Sequence, residues 1–215
     1  MTTQQSLFLL KNVRAVFPKY FKGQEEAFEG KGDPYYSGSF ILPPDHPQLG
    51  ELKTAIRDAA VAKLKDKADE ALKLYQMKDK LPVHDGVLKA SKPYGAAFKG
   101  NMYVSARNNA KTNPPIPVYD NVQDPTTGQA RVITDQTDSR APYSGCFVNV
   151  YLNFFAYNAG GGEGIGASIA GVQFHADGER LAGGVTAKAS DFAAVPPAAK
   201  ADAAKSGKGA AALFG

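Results

Sequence analysis

Residues 145–157 read GCFVNVYLNFFAY, and this stretch decides the fold. Cys146, Val148, Val150, Leu152, Phe154 and Ala156 fall on one alternation; Phe147, Asn149, Tyr151, Asn153, Phe155 and Tyr157 fall on the other. Side chains that change face at every residue belong to a β-strand. The first set predicts a core face. The second, rings interleaved with amides, predicts a surface on which flat ligands can stack.

The neighbouring segments carry the same signature. Residues 164–175 (GIGASIAGVQFH) predict a strand, entered from Gly160-Gly161-Gly162 and ended by Asp177-Gly178. In 101–107 (NMYVSAR), Tyr103, Ser105 and Arg107 share a face opposite Met102, Val104 and Ala106. Residues 6–18 and 35–42 predict two earlier strands, with 19–34 as a loop and Pro43-Pro44 as a stop. A weak strand covers 81–90. Within the Pro/Asp/Thr-rich stretch 108–143, 116–119 and 131–134 can pair across Thr127-Gly128. One segment has another period. Leu49, Leu52, Ile56, Ala60, Leu64, Ala68, Leu72 and Tyr75 recur at three and four, an amphipathic helix over about 45–78 with Asp45 as its cap.

The expected fold is therefore mainly β: a small β-barrel of the oligonucleotide/oligosaccharide-binding (OB) type with one long inserted helix. Residues 183–215 are dominated by Ala, Gly, Lys and Pro and predict a disordered tail. The expected division is a folded domain over 1–182 and a tail over 183–215.

Composition narrows the function. The 215 residues carry 25 Lys and Arg against 21 Asp and Glu, a formal charge of +4, with twelve Phe, ten Tyr and no Trp. No apolar run is long enough for a membrane helix, Met1–Gln5 shows no secretory signal and there is a single cysteine, so a reducing cytoplasm is expected. The lone Cys146 excludes an internal disulfide and a cysteine-rich metal site, and predicts a buried thiol. No phosphate-binding loop, dinucleotide fingerprint or Gly-x-Ser-x-Gly elbow occurs. His46, His84 and His175 lack ligand spacing. Asp120, Asp124, Asp135 and Asp138 could hold Mg²⁺ in a nuclease, but turn chemistry explains them more simply. The reading is of a non-enzymatic protein with no cofactor and no metal.

The positive signal is basic charge among aromatics. Residues 11–22 hold Lys11, Arg14, Lys19 and Lys22 with Phe17, Tyr20 and Phe21, and no acid. Residues 85–111 hold Lys89, Lys92, Lys99, Arg107 and Lys111 against Asp85 alone, with Tyr94, Phe98 and Tyr103. Cations neutralise phosphates and release counterions, and ring faces stack on unpaired bases. The candidate DNA-binding residues are thus Lys11, Arg14, Lys89, Lys92, Tyr94, Phe98, Lys99, Tyr103, Arg107, Lys111, Phe147, Tyr151 and Phe155. The alternative for the aromatics is a second core beneath the helix. The alternative functions are a metal-dependent nuclease and a β-rich assembly protein.

Three stretches resemble a known family: Pro34–Pro43, Tyr143–Asn149, and Gly164–Phe174 with Asp177–Leu181 and Gly183-Gly184. Together they are similar to tailed-phage single-stranded DNA-binding proteins, long catalogued as a domain of unknown function, over about residues 6–192. The resemblance implies an OB-fold, single-stranded DNA as partner, a place in phage replication or recombination, and phage or host replication proteins as further partners. Its motifs look structural and assign no binding residue. Many such binders end in an acidic, aromatic-tipped tail. Here Lys188, Lys200, Lys205 and Lys208 outnumber Asp191 and Asp202 beyond residue 183, so recruitment through an acidic tail is not expected.

Overall fold

The computed structural model describes residues 7–22, 26–28, 31–92, 94–159 and 162–181. The expected tail, 183–215, lies outside these residues. Among these residues nine strands form one sheet: β1 (Phe8–Lys19), β2 (Glu26–Phe28), β3 (Lys31–Leu42), β4 (Val83–Asp85), β5 (Met102–Asn109), β6 (Val118–Gln123), β7 (Ala130–Ile133), β8 (Phe147–Ala159) and β9 (Gly162–Ala176). Their order is β4-β5-β3-β1-β8-β9-β6-β7, with β2 against β3. The pairings are antiparallel except β6 with β9.

The sheet curls until β5 meets β9. There the Asn108 amide imitates a backbone neighbour: Nδ2 donates to the Ile169 carbonyl at 2.9 Å, and the Ile169 amide donates to Oδ1 at 2.8 Å. The circuit β1-β3-β5-β9-β8 is the five-stranded, partly open barrel of an OB-fold. Val148, Val150 and Leu152 are fully buried inside it with Leu10, Phe40, Val104 and Phe174, as the alternation of β8 requires.

The helical segment follows the expected stripe. Leu52, Ile56, Ala60, Ala68 and Tyr75 are buried. It divides into α1 (Leu49–Leu64) and α2 (Ala68–Met77) at a tight turn, Lys65–Lys67, where Lys65 adopts φ of 52°. Asp45 is not its cap, since the helix begins four residues later. Gln48 stands at that end and ties it to β1: its Oε1 accepts from the Lys11 amide at 2.8 Å, and its Nε2 donates to the Leu9 carbonyl at 3.0 Å.

The motifs that carry the family resemblance hold each other. Tyr143 Oη donates to Asp177 Oδ1 at 2.9 Å and accepts from the Gly178 amide at 3.1 Å, and the Arg180 guanidinium lies 3.9 Å over the Tyr143 ring. Gly145 has φ of 111°, and a Cβ there would sit 2.0 Å from the Glu179 carbonyl oxygen, so only glycine fits. Cys146 is fully buried behind this clasp, and burial pushes its thiol up to about 11.

Candidate nucleic-acid interface

On the outside of the barrel, register sets Lys19 opposite Ser37 and Ser37 opposite Arg107. This row crosses β1, β3 and β5. One pair along, Tyr35 lies between the two cations: Lys19 Nζ is 5.4 Å and Arg107 Cζ 5.1 Å from its ring centre. The cations hold the ring's orientation while staying within reach of a phosphate.

Arg107 also borders a cleft of about 820 Å³. Its walls are the outer face of β5, the β8-β9 hairpin and the chain after α2, including Lys80, His84, Asn153, Phe155 and Tyr157. Phe155 pairs with Gly166, where a Cβ would lie 2.9 Å from the Phe155 Cζ. One side of the ring thus rests on β9 backbone, and 38% of the residue remains exposed. His84 stacks on Tyr103 at 5.0 Å, and its Nδ1 lies 2.7 Å from Asp79 Oδ1. Burial is the larger of the causes that push the Tyr103 phenol up, followed by Asp79 and Tyr94.

The structure sorts the sequence-predicted residues into separate groups. Arg107 and Phe155 meet in this cleft. Lys11, Arg14 and Phe147 line a second cleft of about 540 Å³ beside the start of α1. There the Arg14 guanidinium is engaged, donating from Nε to Gly145 O at 3.2 Å and from Nη2 to Glu179 O at 2.7 Å. Lys111 pairs with Asp33 at 2.6 Å. Lys92 and Lys99 are exposed on the segment between β4 and β5.

Four of the expected residues, Phe98, Tyr103, Tyr94 and Lys89, pack against one another. Phe98 is fully buried and Tyr103 is 5% exposed, so neither ring offers a free face. Arg14, Ile41 and Tyr103 lie in one cross-strand row, and the apolar members of that outer face need cover. The segment after β4, including the single turn α3 (Val87–Ala90), folds over them and inserts Phe98. Tyr94 packs edge-on against Phe17 at 4.5 Å and is half-buried. Lys89 Nζ sits 4.4 Å over the Tyr103 ring and 5.3 Å over Phe98, and its burial lowers its pKa. These side chains form a small second core, under a loop rather than under the helix. Tyr151 is 45% exposed, but it pairs with Leu9 and Gly171, and Tyr119 lies across that glycine. It does not line the Phe155 cleft.

The carboxylates of 108–143 serve the fold. Asp120 takes Arg131 at 2.7 Å and Arg140 at 3.0 Å, and Asp138 takes Arg131 at 2.6 Å. Asp124 and Asp135 accept from the amides of Thr126 and Thr137 in their own turns. Among the described residues no His, Cys, Asp and Glu group could hold a metal, and no helix is long and apolar enough to cross a membrane.

Sequence reasoning passed over Tyr35 and Lys80. Alternation in 35–42 does set Tyr35 beside Ser37 and Ser39, the available signal. Lys80 follows a helix whose charges read as a solvated face, and nothing marked it.

Comparison with known proteins agrees with the architecture. The solved single-stranded DNA-binding protein from bacteriophage Enc34 in complex with ssDNA superposes with a TM-score of 0.57 at 20% identity, covering 83% of this chain and 91% of that one. The single-stranded DNA-binding protein gp2.5 of bacteriophage T7 gives 0.53 at 14% identity, over 87% and 100%. Putative protein p50 of Acyrthosiphon pisum secondary endosymbiont phage 1 is 33% identical over 186 residues, 85% of this chain and 90% of that protein. The family described as Enterobacter phage Enc34, ssDNA-binding protein, matches residues 7–204, and the chain belongs to that family.

Proposed function

We propose that the chain binds single-stranded DNA in the host cytoplasm during phage replication or recombination, with no catalytic step. The observation that carries this is the outer face of β1-β3-β5, where Lys19 and Arg107 flank the Tyr35 ring and lead into the cleft of Phe155. Family membership supports the same reading. Lys19, Arg107 and Lys80 neutralise phosphates. Tyr35 holds the two cations in place, and Phe155 stacks on bases, which suits every base because each has a π-face. The barrel strands supply rigidity, and the resting of Phe155 on Gly166 fixes its ring before DNA arrives.

The test is anisotropy of a labelled oligothymidylate titrated with protein at two salt concentrations, with duplex as competitor. Salt-sensitive binding that duplex does not displace is expected, and it weakens in Arg107→Ala. Equal displacement by duplex reduces the interface to nonspecific charge. No binding at low salt overturns the proposal and favours an assembly protein.

A further inference from the structure

His84 stands on the wall of the Phe155 cleft, and the phosphate and stacking contacts above give it no role. Its ring is held on two sides. β4 pairs with β5 so that His84 lies opposite Tyr103, and the two rings stack at 5.0 Å. Nδ1 lies 2.7 Å from Asp79 Oδ1; an ionised carboxylate only accepts, so Nδ1 carries the hydrogen. Nε2 makes no hydrogen bond among the described residues, and 17% of the side chain is exposed. Asp79 stands there against local preference. It follows α2 with φ of 53°, a left-handed conformation that helix ends usually give to glycine. An acid there also opposes the partial negative charge of a helix C-terminus. A residue disfavoured on both counts, yet bonded to His84, fixes which nitrogen of the ring is left available.

That nitrogen changes its chemistry with one proton. Phosphate oxygens only accept hydrogen bonds, and a neutral ring with its hydrogen on Nδ1 offers Nε2 as an acceptor, so it has nothing to give them. Protonation places a hydrogen on Nε2 and a positive charge on the ring, which turns the same atom into a charge-assisted donor. The other charged and titratable groups around the ring are Lys80 beside Asp79, Asp85 on β4, Tyr103 and Arg107 on β5, and Lys89, whose Nζ sits 4.4 Å over the Tyr103 ring. An anion entering the cleft joins Asp79 in favouring the charged ring.

We propose that His84 is a proton-dependent phosphate contact: uncharged, it leaves the strand to Lys80 and Arg107, and protonated, it adds one more cation to the cleft. Binding of the strand and protonation of the ring then favour each other, as linkage requires. This rests on the single-stranded DNA reading above. It adds regulation by pH to an interface otherwise made of permanent charges and a neutral ring.

The test titrates a labelled oligothymidylate, whose bases keep their charge in this range, with the full chain over several salt concentrations. It is done at about pH 5.5 and at about pH 8, across which histidine changes charge. At the lower pH the wild-type chain is expected to bind at least about threefold more tightly, the effect of one partly exposed ion pair. Its slope of log affinity against log salt is expected to steepen by ~0.7, the value for one more phosphate on a single strand. His84→Gln, which has no titrating ring, is expected to give one slope at both pH values. Equal slopes in the wild-type chain overturn the proposal without any variant. A steeper acid slope that survives in His84→Gln places the proton elsewhere, as on His46 or His175, and also overturns it. No binding of oligothymidylate at either pH removes the single-stranded DNA reading and the proposal with it, whereas binding that ignores pH removes the proposal alone.

Discussion

Replacing Phe155 with alanine isolates the stacking contribution of the cleft. The ring is 38% exposed, and one side of it is spent on Gly166, so it serves one base on one face. Base–aromatic stacking is worth ~1–3 kcal/mol per base by alanine substitution. With one usable face, the lower part of that range applies, about 1–2 kcal/mol, which is roughly five- to thirtyfold in affinity. The ring is neutral, so the loss is expected to be the same at low and moderate salt. Its packing on a strand surface predicts a smaller stability loss than the ~3–5 kcal/mol of a buried Phe→Ala change. Phe155→Leu keeps an apolar cover on Gly166 but lacks a π-face, so it should retain the melting temperature and lose most of the affinity. The assay is anisotropy at two salt concentrations, with thermal melting of each variant. A folded Phe155→Ala protein with unchanged affinity would refute the stacking assignment, and a loss that varies steeply with salt would show that the ring acts by placing cations.

Arg107→Ala should flatten the slope of log affinity against log salt by ~0.7, the value for one phosphate on a single strand; an unchanged slope excludes the contact. Tyr103→Ala should lower the melting temperature, because the ring supports Phe98, His84 and Lys89, whereas Tyr151→Ala should leave both stability and affinity near those of the parent; strong loss of binding in Tyr151→Ala would move the DNA path onto β8. Burial pushes the Asp120 carboxyl up, but hydrogen bonds from Arg140 and Arg131 outweigh it and hold the group below the usual carboxylate range. A pKa lower folded than unfolded stabilises above about pH 4 and is lost as pH falls through the folded value, so Asp120→Asn should melt lower at neutral pH and lose less on acidification; parallel melting curves would refute this. Cys146 should resist thiol reagents at pH 8 until the chain unfolds, and rapid labelling of folded protein would contradict its burial and raised pKa.

The barrel was legible because β5 and much of β8 alternate, although bulges interrupt β1 and the pairing of β8 with β9. Val104 and Ala106 face inward and Arg107 outward, as period two demands, and the hairpin of β6 and β7 turns at Thr127-Gly128 as its composition requires. The helix stripe was legible for the same reason. What alternation does not encode is closure. The join of β5 to β9 depends on one amide, Asn108, at an inward-phased position, and nothing local distinguishes it from other asparagines. The break at Lys65 was equally hidden, because the apolar spacing continues through Leu64 and Ala68 across it.

The candidate surface was half legible, for a different physical reason. Face and availability are separate properties. The sequence assigns Tyr103 and Arg107 to the same outer face, and the structure agrees. The way the segment before β5 folds back decides that Phe98 covers one and leaves the other open. Charge behaves alike: Arg14 and Arg107 are equivalent in a count of cations, yet one guanidinium is bound to the Gly145 and Glu179 carbonyls and the other faces a cleft. A basic, aromatic stretch therefore specifies that a nucleic-acid surface can be built. Which residues are left to form one follows from what the rest of the chain has already engaged, and Arg107 and Phe155, both still exposed, line one cleft.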